Sequence, residues 1–474
     1  MAPPSEVVYA ETPVAGLQAE CLSYPEVLAQ SVAVIAPSTV PAAVLGLIFA
    51  SAGNGTWLSF LFGMLGLTLV SLNINQFARH SSSSGSLYSY IVTGLGPTVG
   101  LVGGCALLFG YMVTGMSTLC GFALAMNNLL ASVGLNVPPS LLSTSAVVLV
   151  FIFGAGDIRL SSKTMLLLEG AAIAAILALG IVVLRHKGLM IDHAQLSLSG
   201  VTPGGVLIGV VLVVFGFSGF ESSTSLGDEA KDPLRSIPRS ITQSVLLSGG
   251  VFIFMAYVVV LGFQDLPIDL ATTELPLSVL ANHYHLPWLG EFISIGVLLS
   301  FFSCTLGSIN ATGRIIFSLA RHNLLPRALG TVHHRTKSPY VAIGFAALLT
   351  LLITLSLSVF GVSDYDAQGY FGTLCSFGFL VVYMLISLAA PLYLRKRGKL
   401  TKRALLISAL SVLFMVIPIL GTIGIPGSFM FPPPAYPSNI LVWVFAGFML
   451  LSAGWLTVAQ KSRAKDIIDV FKEN

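Results

Sequence analysis

Apolar residues along this chain neither alternate nor gather on one helical face. They run on for about twenty positions, stop at Gly, Pro or charge, and begin again. A helix rising 1.5 Å per residue needs roughly 20 apolar residues to cross a hydrocarbon core about 30 Å thick. The runs predict helices over residues 26–50, 57–78, 96–130, 140–155, 163–184, 204–226, 240–263, 288–320, 339–359, 370–394, 403–424 and 439–460. That pattern is an all-α polytopic membrane protein with twelve transmembrane helices.

The positive charges set an orientation. With both termini inside, all but two of the 23 Lys and Arg residues, Arg185 and Lys187, fall on inner segments or their flanks. The outer loops are acidic or neutral where long, as in Gln264 to Thr273 and the Pro-rich Phe431 to Pro437. Residues 1–25 hold no Lys or Arg and no apolar core, and they carry Glu6, Glu11 and Glu20. They do not resemble a cleavable signal peptide and read as a cytosolic tail, as do residues 461–474.

Composition removes other classes. Of 474 residues 55% are hydrophobic and 9% charged, against roughly a quarter charged in a soluble domain, so the partner this surface expects is a lipid bilayer, that of the cell (plasma) membrane. A net charge of +3 leaves no footprint for nucleic acid. Cys21, Cys105, Cys120, Cys304 and Cys375 are scattered and read as small buried hydrophobes, with no disulfide frame and no metal site. His333 and His334 form a solvated pair without further ligands at metal spacing. The sequons at Asn54 and Asn310 carry little weight, the second lying inside a predicted helix. No zinc-binding helix motif, nucleophile elbow or phosphate-cradling loop is present, so neither an enzyme nor a cofactor is expected.

Two runs should break near their middles. In Ile35-Ala36-Pro37-Ser38-Thr39-Val40-Pro41 two prolines remove backbone donors and clash with the preceding turn. In Phe215-Gly216-Phe217-Ser218-Gly219-Phe220-Glu221 glycines let the chain leave helical geometry, five helices later. Irregular backbone at membrane depth is tolerated only when buried in protein or lining a wet cavity. Interrupted segments in corresponding halves point to a transporter's central site, where freed amides would hold a carboxylate and freed carbonyls an ammonium. The candidate substrate-binding residues are therefore Ala36, Pro37, Ser38, Thr39 and Val40, with Phe215, Gly216, Phe217, Ser218, Gly219 and Phe220. Tyr111, Ser300, Ser303 and Cys304 lie at suitable depth to line or gate the cavity.

The second break and its continuation, Gly227-Asp228-Glu229-Ala230-Lys231-Asp232-Pro233 and Ile237-Pro238-Arg239-Ser240-Ile241, resemble the sixth helix and following cytosolic loop of the amino acid-polyamine-organocation permeases. Asn310, Arg314 and Phe317-Ser318-Leu319-Ala320-Arg321-His322-Asn323-Leu324-Leu325-Pro326 resemble that family's eighth-helix exit, and Gly85-Ser86-Leu87-Tyr88-Ser89-Tyr90 its entry to helix three. The resemblance implies the leucine-transporter-type five-plus-five inverted repeat, here 26–187 and 204–397, with broken helices 1 and 6 and accessory helices over 402–460. It also implies transport or exchange of an amino acid or related organic amine, while a sensor on the same fold stays open. The first break departs from the family's glycine-rich pattern, so the substrate need not be a standard α-amino acid.

Glu169 lies inside the run Thr164 to Val183, too deep for a short side chain to snorkel. An acid there is a functional candidate by default, and it sits where several proton-coupled relatives of that family place a lysine. It is expected to carry protons, with a static hydrogen bond or a partial sodium site as open alternatives.

Overall fold

The computed structural model describes residues 16–81, 85–188, 191–273, 275–428 and 430–472, with side chains described as far as Leu456. The described residues are helical apart from loops and one isolated bridge between Leu22 and Ala230. The helices are α1 (Tyr24–Ile35), α2 (Leu45–Ala52), α3 (Thr56–Ala78), α4 (Leu87–Leu95), α5 (Pro97–Ser132), α6 (Pro139–Ala155), α7 (Ile158–His186) and α8 (His193–Leu196). There follow α9 (Pro203–Phe217), α10 (Pro233–Phe263), α11 (Pro276–His283), α12 (Pro287–Arg321), α13 (Tyr340–Val359), α14 (Asp364–Lys396), α15 (Lys402–Ile423) and α16 (Ser438–Lys472).

Among the described residues ten helical runs are long and apolar enough to cross a membrane. The first of them, Tyr24–Ala78, takes in both α1 and α3, and α6 is shorter at 17 residues. Outward faces are greasy. On α15 Leu406 and Leu413 are 59% and 65% exposed, a surface that is stable only against lipid tails. Multiple apolar helices with such faces make this an integral membrane protein.

Two groups of helices pack around the centre. α5, α6, α12 and α13 form one, while α1 with α2, α3, α9 and α10 form the other. α7 bridges them through α1, α10 and α12, and α14 lies along α5. α15 and α16 pack outside on α3, α5, α9 and α14.

Several helix starts differ from the sequence expectation. α10 begins at Pro233 rather than 240, because proline suits a first turn. Pro238 then sits one turn further in, where it withholds one donor without ending the helix. α16 continues to Lys472 through residues expected to be a tail. The short helices α4, α8 and α11 were absent from the hydropathy pattern. The tail expected over 1–25 ends earlier: residues 1–15 lie outside the described set, while Leu17, Cys21 and Leu22 are buried. Ahead of α1 the Ser23 N–H and hydroxyl both donate to Glu26 Oε2 at 2.7 Å, so the Glu26 side chain reaches back to the start of the helix.

Candidate functional site

α1 stops at Ile35, where Ala36 takes left-handed geometry with φ 51° and ψ 66°. Pro37 has no N–H to offer Ala33, so the ladder cannot continue. The Thr39 N–H and hydroxyl both turn back to Ala36 O, at 3.0 and 2.8 Å. A π-helical turn over Val40–Val44 leads into α2. On the other side α9 stops at Phe217. The Ser218 N–H donates to Phe215 O at 3.0 Å, and Gly219 adopts φ +88° before a 3-10 turn over Ser222–Leu226. The breaks touch: a methyl group on Gly216 would stand 3.0 Å from Val40 Cγ2, and one on Gly219 would stand 2.3 Å from Val34 Cγ1.

A cavity of about 60 Å³ lies between them, space for roughly four waters. Of the expected residues Ala36, Thr39, Val40, Phe215, Gly216, Ser218 and Cys304 line it, joined by Thr114, Ser117 and Thr118 of α5 and Gln368 and Cys375 of α14. Pro37, Ser38, Tyr111, Phe217, Gly219 and Phe220 stand behind the wall. Phe217 packs on Phe252 at 4.9 Å and Phe220 on Tyr383 at 5.1 Å.

Beside the second break, buried Glu221 accepts hydrogen bonds from the Tyr111 hydroxyl at 2.7 Å and the Tyr383 hydroxyl at 2.6 Å. The Gly219 N–H donates to Tyr383 Oη at 3.0 Å. One carboxyl thus ties the break to α5 and α14. Glu221 closed the sequence motif of the second break without being singled out, although an acid at that depth was itself the available signal.

Glu169 is buried on α7, and the Ser300 hydroxyl donates to it at 2.8 Å. Ser303 lies beside the same carboxyl. Four residues past Ser300, the Cys304 thiol donates to Val34 O at 3.1 Å, in the last turn of α1. Side chains of α12 therefore link Glu169 to the first break.

At one end of the bundle, Arg314 of α12 and Glu229 are fully buried against each other. Nε and Nη2 meet the two carboxylate oxygens at 2.7 and 3.0 Å, and Nη1 donates to Asn310 O at 3.2 Å. The Cys21 and Leu22 N–H groups donate to Glu229 O at 2.8 and 2.9 Å, and the Lys231 N–H returns to Leu22 O at 2.8 Å. The chain ahead of α1 is thus stitched to the loop after the second break, over α12. The His333 and His334 rings lie 4.7 Å apart, and no group of three or more His, Cys, Asp or Glu among the described residues is arranged to hold a metal ion.

Comparison with known proteins decides the family. The model of the amino acid permease family matches residues 27–458. The chain belongs to the amino acid permeases. It is 23% identical to a branched-chain amino acid permease of Bacillus subtilis (strain 168), over 86% of this chain and 83% of that one. It is 25% identical to a low-affinity putrescine importer of Escherichia coli (strain K12), over 73% of this chain and 75% of that one. A Na+-coupled sialic acid symporter, solved substrate-bound and outward-open, shares the fold with a TM-score of 0.50 and 13% identity, over 82% of this permease and 88% of that chain. The permease is a transporter and not an enzyme, and its substrates are small molecules such as amino acids or amines.

Proposed function

We propose that this permease is a secondary active transporter of the plasma membrane, moving an amino acid or related organic amine by alternating access at the cavity between the two breaks. The observation that carries the reading is the meeting of two interrupted segments, Ala36–Val40 and Phe215–Phe220, around that cavity at the centre of the bundle. The reading counts twelve crossings, α1 with α2, α3, α5, α6, α7, α9, α10, α12, α13, α14, α15 and α16, which puts both termini on one side of the membrane; the Lys and Arg distribution makes that side the cytosol. The two five-helix repeats span 26–187 and 204–397, and α15 and α16 are accessory. The Tyr111–Glu221–Tyr383 contact and the Arg314–Glu229 pair then lie on the cytosolic side of the cavity, where they close the inner path.

Glu169 is the proton carrier in this reading. Its carboxyl accepts from a serine hydroxyl and has no ion-pair partner among the described residues. A bare charge is costly in such a place, so proton binding and release follow its hydration. The link through Cys304 to Val34 would pass that change to the first break. Uptake of labelled amino acids, polyamines and simple amines into liposomes carrying the purified protein, with and without an inward proton gradient, tests the reading. Gradient-stimulated accumulation supports symport. Flux that needs a counter-substrate supports exchange, and binding without flux under either condition leaves a sensor.

A further inference from the structure

A second cavity, of about 290 Å³, lies apart from the one between the breaks. Along α5 the central cavity ends at Thr118 and this one begins at Ala125; along α12 it reaches Val297, one turn short of Phe301. No residue lines both, and neither α9 nor α14 contributes to the second. The central cavity holds about 60 Å³, whereas the second comes close to the roughly 300–1,000 Å³ of small-molecule sites. In the topology proposed above it sits at the outer ends of α5 and α12.

Its wall is chiefly apolar, with Leu129, Leu275, Leu277, Ile293 and Val297. One charge stands in it, the carboxylate of Glu291, and no Lys, Arg or His lines the space. Glu291 joins neither ion pair found among the described residues. The Asn128 and Asn282 amides add a few orienting polar groups. α11 forms one side and packs on the Val40–Val44 turn, whose Ala42 also lines the cavity. The walls therefore come from both helix groups, α5 and α12 on one hand and the continuation of the first break on the other.

We propose that this outer cavity binds a cationic amine with an apolar body, such as an arylalkylamine, at a site separate from the solute cavity. The ammonium meets Glu291 and the body covers the leucines. An occupant touching both groups binds best while they keep the arrangement of this structure, in which the inner path is closed, so it holds that path shut. For this effect alone the inference rests on the alternating-access reading above.

Purified full-length protein in nanodiscs is titrated calorimetrically with phenethylamine and with 2-phenylethanol, which has the same apolar body and no charge. Phenethylamine is expected to lose roughly fivefold in affinity on Glu291→Gln, the worth of a partly exposed charge pair, and the alcohol to bind more weakly and ignore the variant. Glu291 is exposed, so the variant is expected to fold as the parent does. Leu129→Trp, which fills the cavity, is expected to remove binding. In protein keeping Cys304 as its sole cysteine, saturating phenethylamine is expected to slow labelling by an impermeant maleimide from the cytosolic face, and Glu291→Gln to raise the concentration needed. Phenethylamine affinity unchanged in both variants, or matched by the alcohol, overturns the inference and leaves the transporter reading in place. Binding that follows the variants with no slowing at Cys304 overturns the coupling to the inner path. Cys304 unlabelled from the cytosolic face with and without the amine counts against alternating access, while the calorimetry still decides the site.

Discussion

Glu229→Gln keeps the volume of the side chain and deletes its charge, leaving the Arg314 guanidinium buried without a counter-ion. Both groups are essentially inaccessible, at 0% and 1% side-chain exposure, so solvent screening does not soften the loss. Removing one partner of such a pair costs roughly 3–5 kcal/mol. If the pair parts when the inner path opens, that cost falls on the closed state alone. The closed-to-open ratio then drops by a factor of about 100 or more, at 1.4 kcal/mol per tenfold. Cys21 reports the opening, because its N–H sits on Glu229 O and the residue is 4% exposed. Burial, then the Glu229 charge, push this thiol up to about 11. While it stays buried only about a thousandth of it is thiolate at pH 8, so labelling of the parent is slow. In a variant keeping Cys21 as the sole cysteine, maleimide labelling at pH 8 is expected to rise about 100-fold on Glu229→Gln. A labelling rate within about twofold of the parent, with a large loss of melting temperature, would show that the pair holds the fold in every state and gates nothing.

Other consequences follow from the same geometry. Glu169→Gln should insert and bind solute normally but lose stimulation by an inward proton gradient, and gradient-driven accumulation at the parent level would remove Glu169 from coupling. Gly219→Ala meets Val34 Cγ1 at 2.3 Å in a backbone with φ +88°. The strain, about 1–2 kcal/mol before any clash, should abolish ligand-induced thermal stabilisation while membrane insertion persists; unaltered affinity would separate that break from the site. Tyr111→Phe and Tyr383→Phe each remove one donor to a buried carboxyl, about 1.5–3 kcal/mol. Their melting-temperature losses should be non-additive in a double-mutant cycle, and strict additivity would argue against a shared network.

The spans were legible because lipid imposes a length and a composition that few soluble segments match. The irregular turns have a local cause: Pro37 and Pro41 cannot donate, and Gly219 takes a backbone conformation that other residues rarely adopt. The partners of Glu221 were not legible. Tyr111 and Tyr383 lie 110 and 162 residues away, and nothing local marks them among the 13 tyrosines. The same holds for the pairing of Cys21 and Leu22 with Glu229 and Lys231, which turned an expected tail into a packed strap. Small helices such as α4, nine residues long, escape a pattern tuned to bilayer thickness.

Alternating exposure of one cavity is the claim on which the account stands. It is tested most directly at Cys304, which lines that cavity. A variant keeping Cys304 as the sole cysteine would be reconstituted in one orientation and treated with a membrane-impermeant thiol reagent from each face in turn. The account predicts modification from both faces, each suppressed by bound solute. Modification confined to one face under every condition would contradict it.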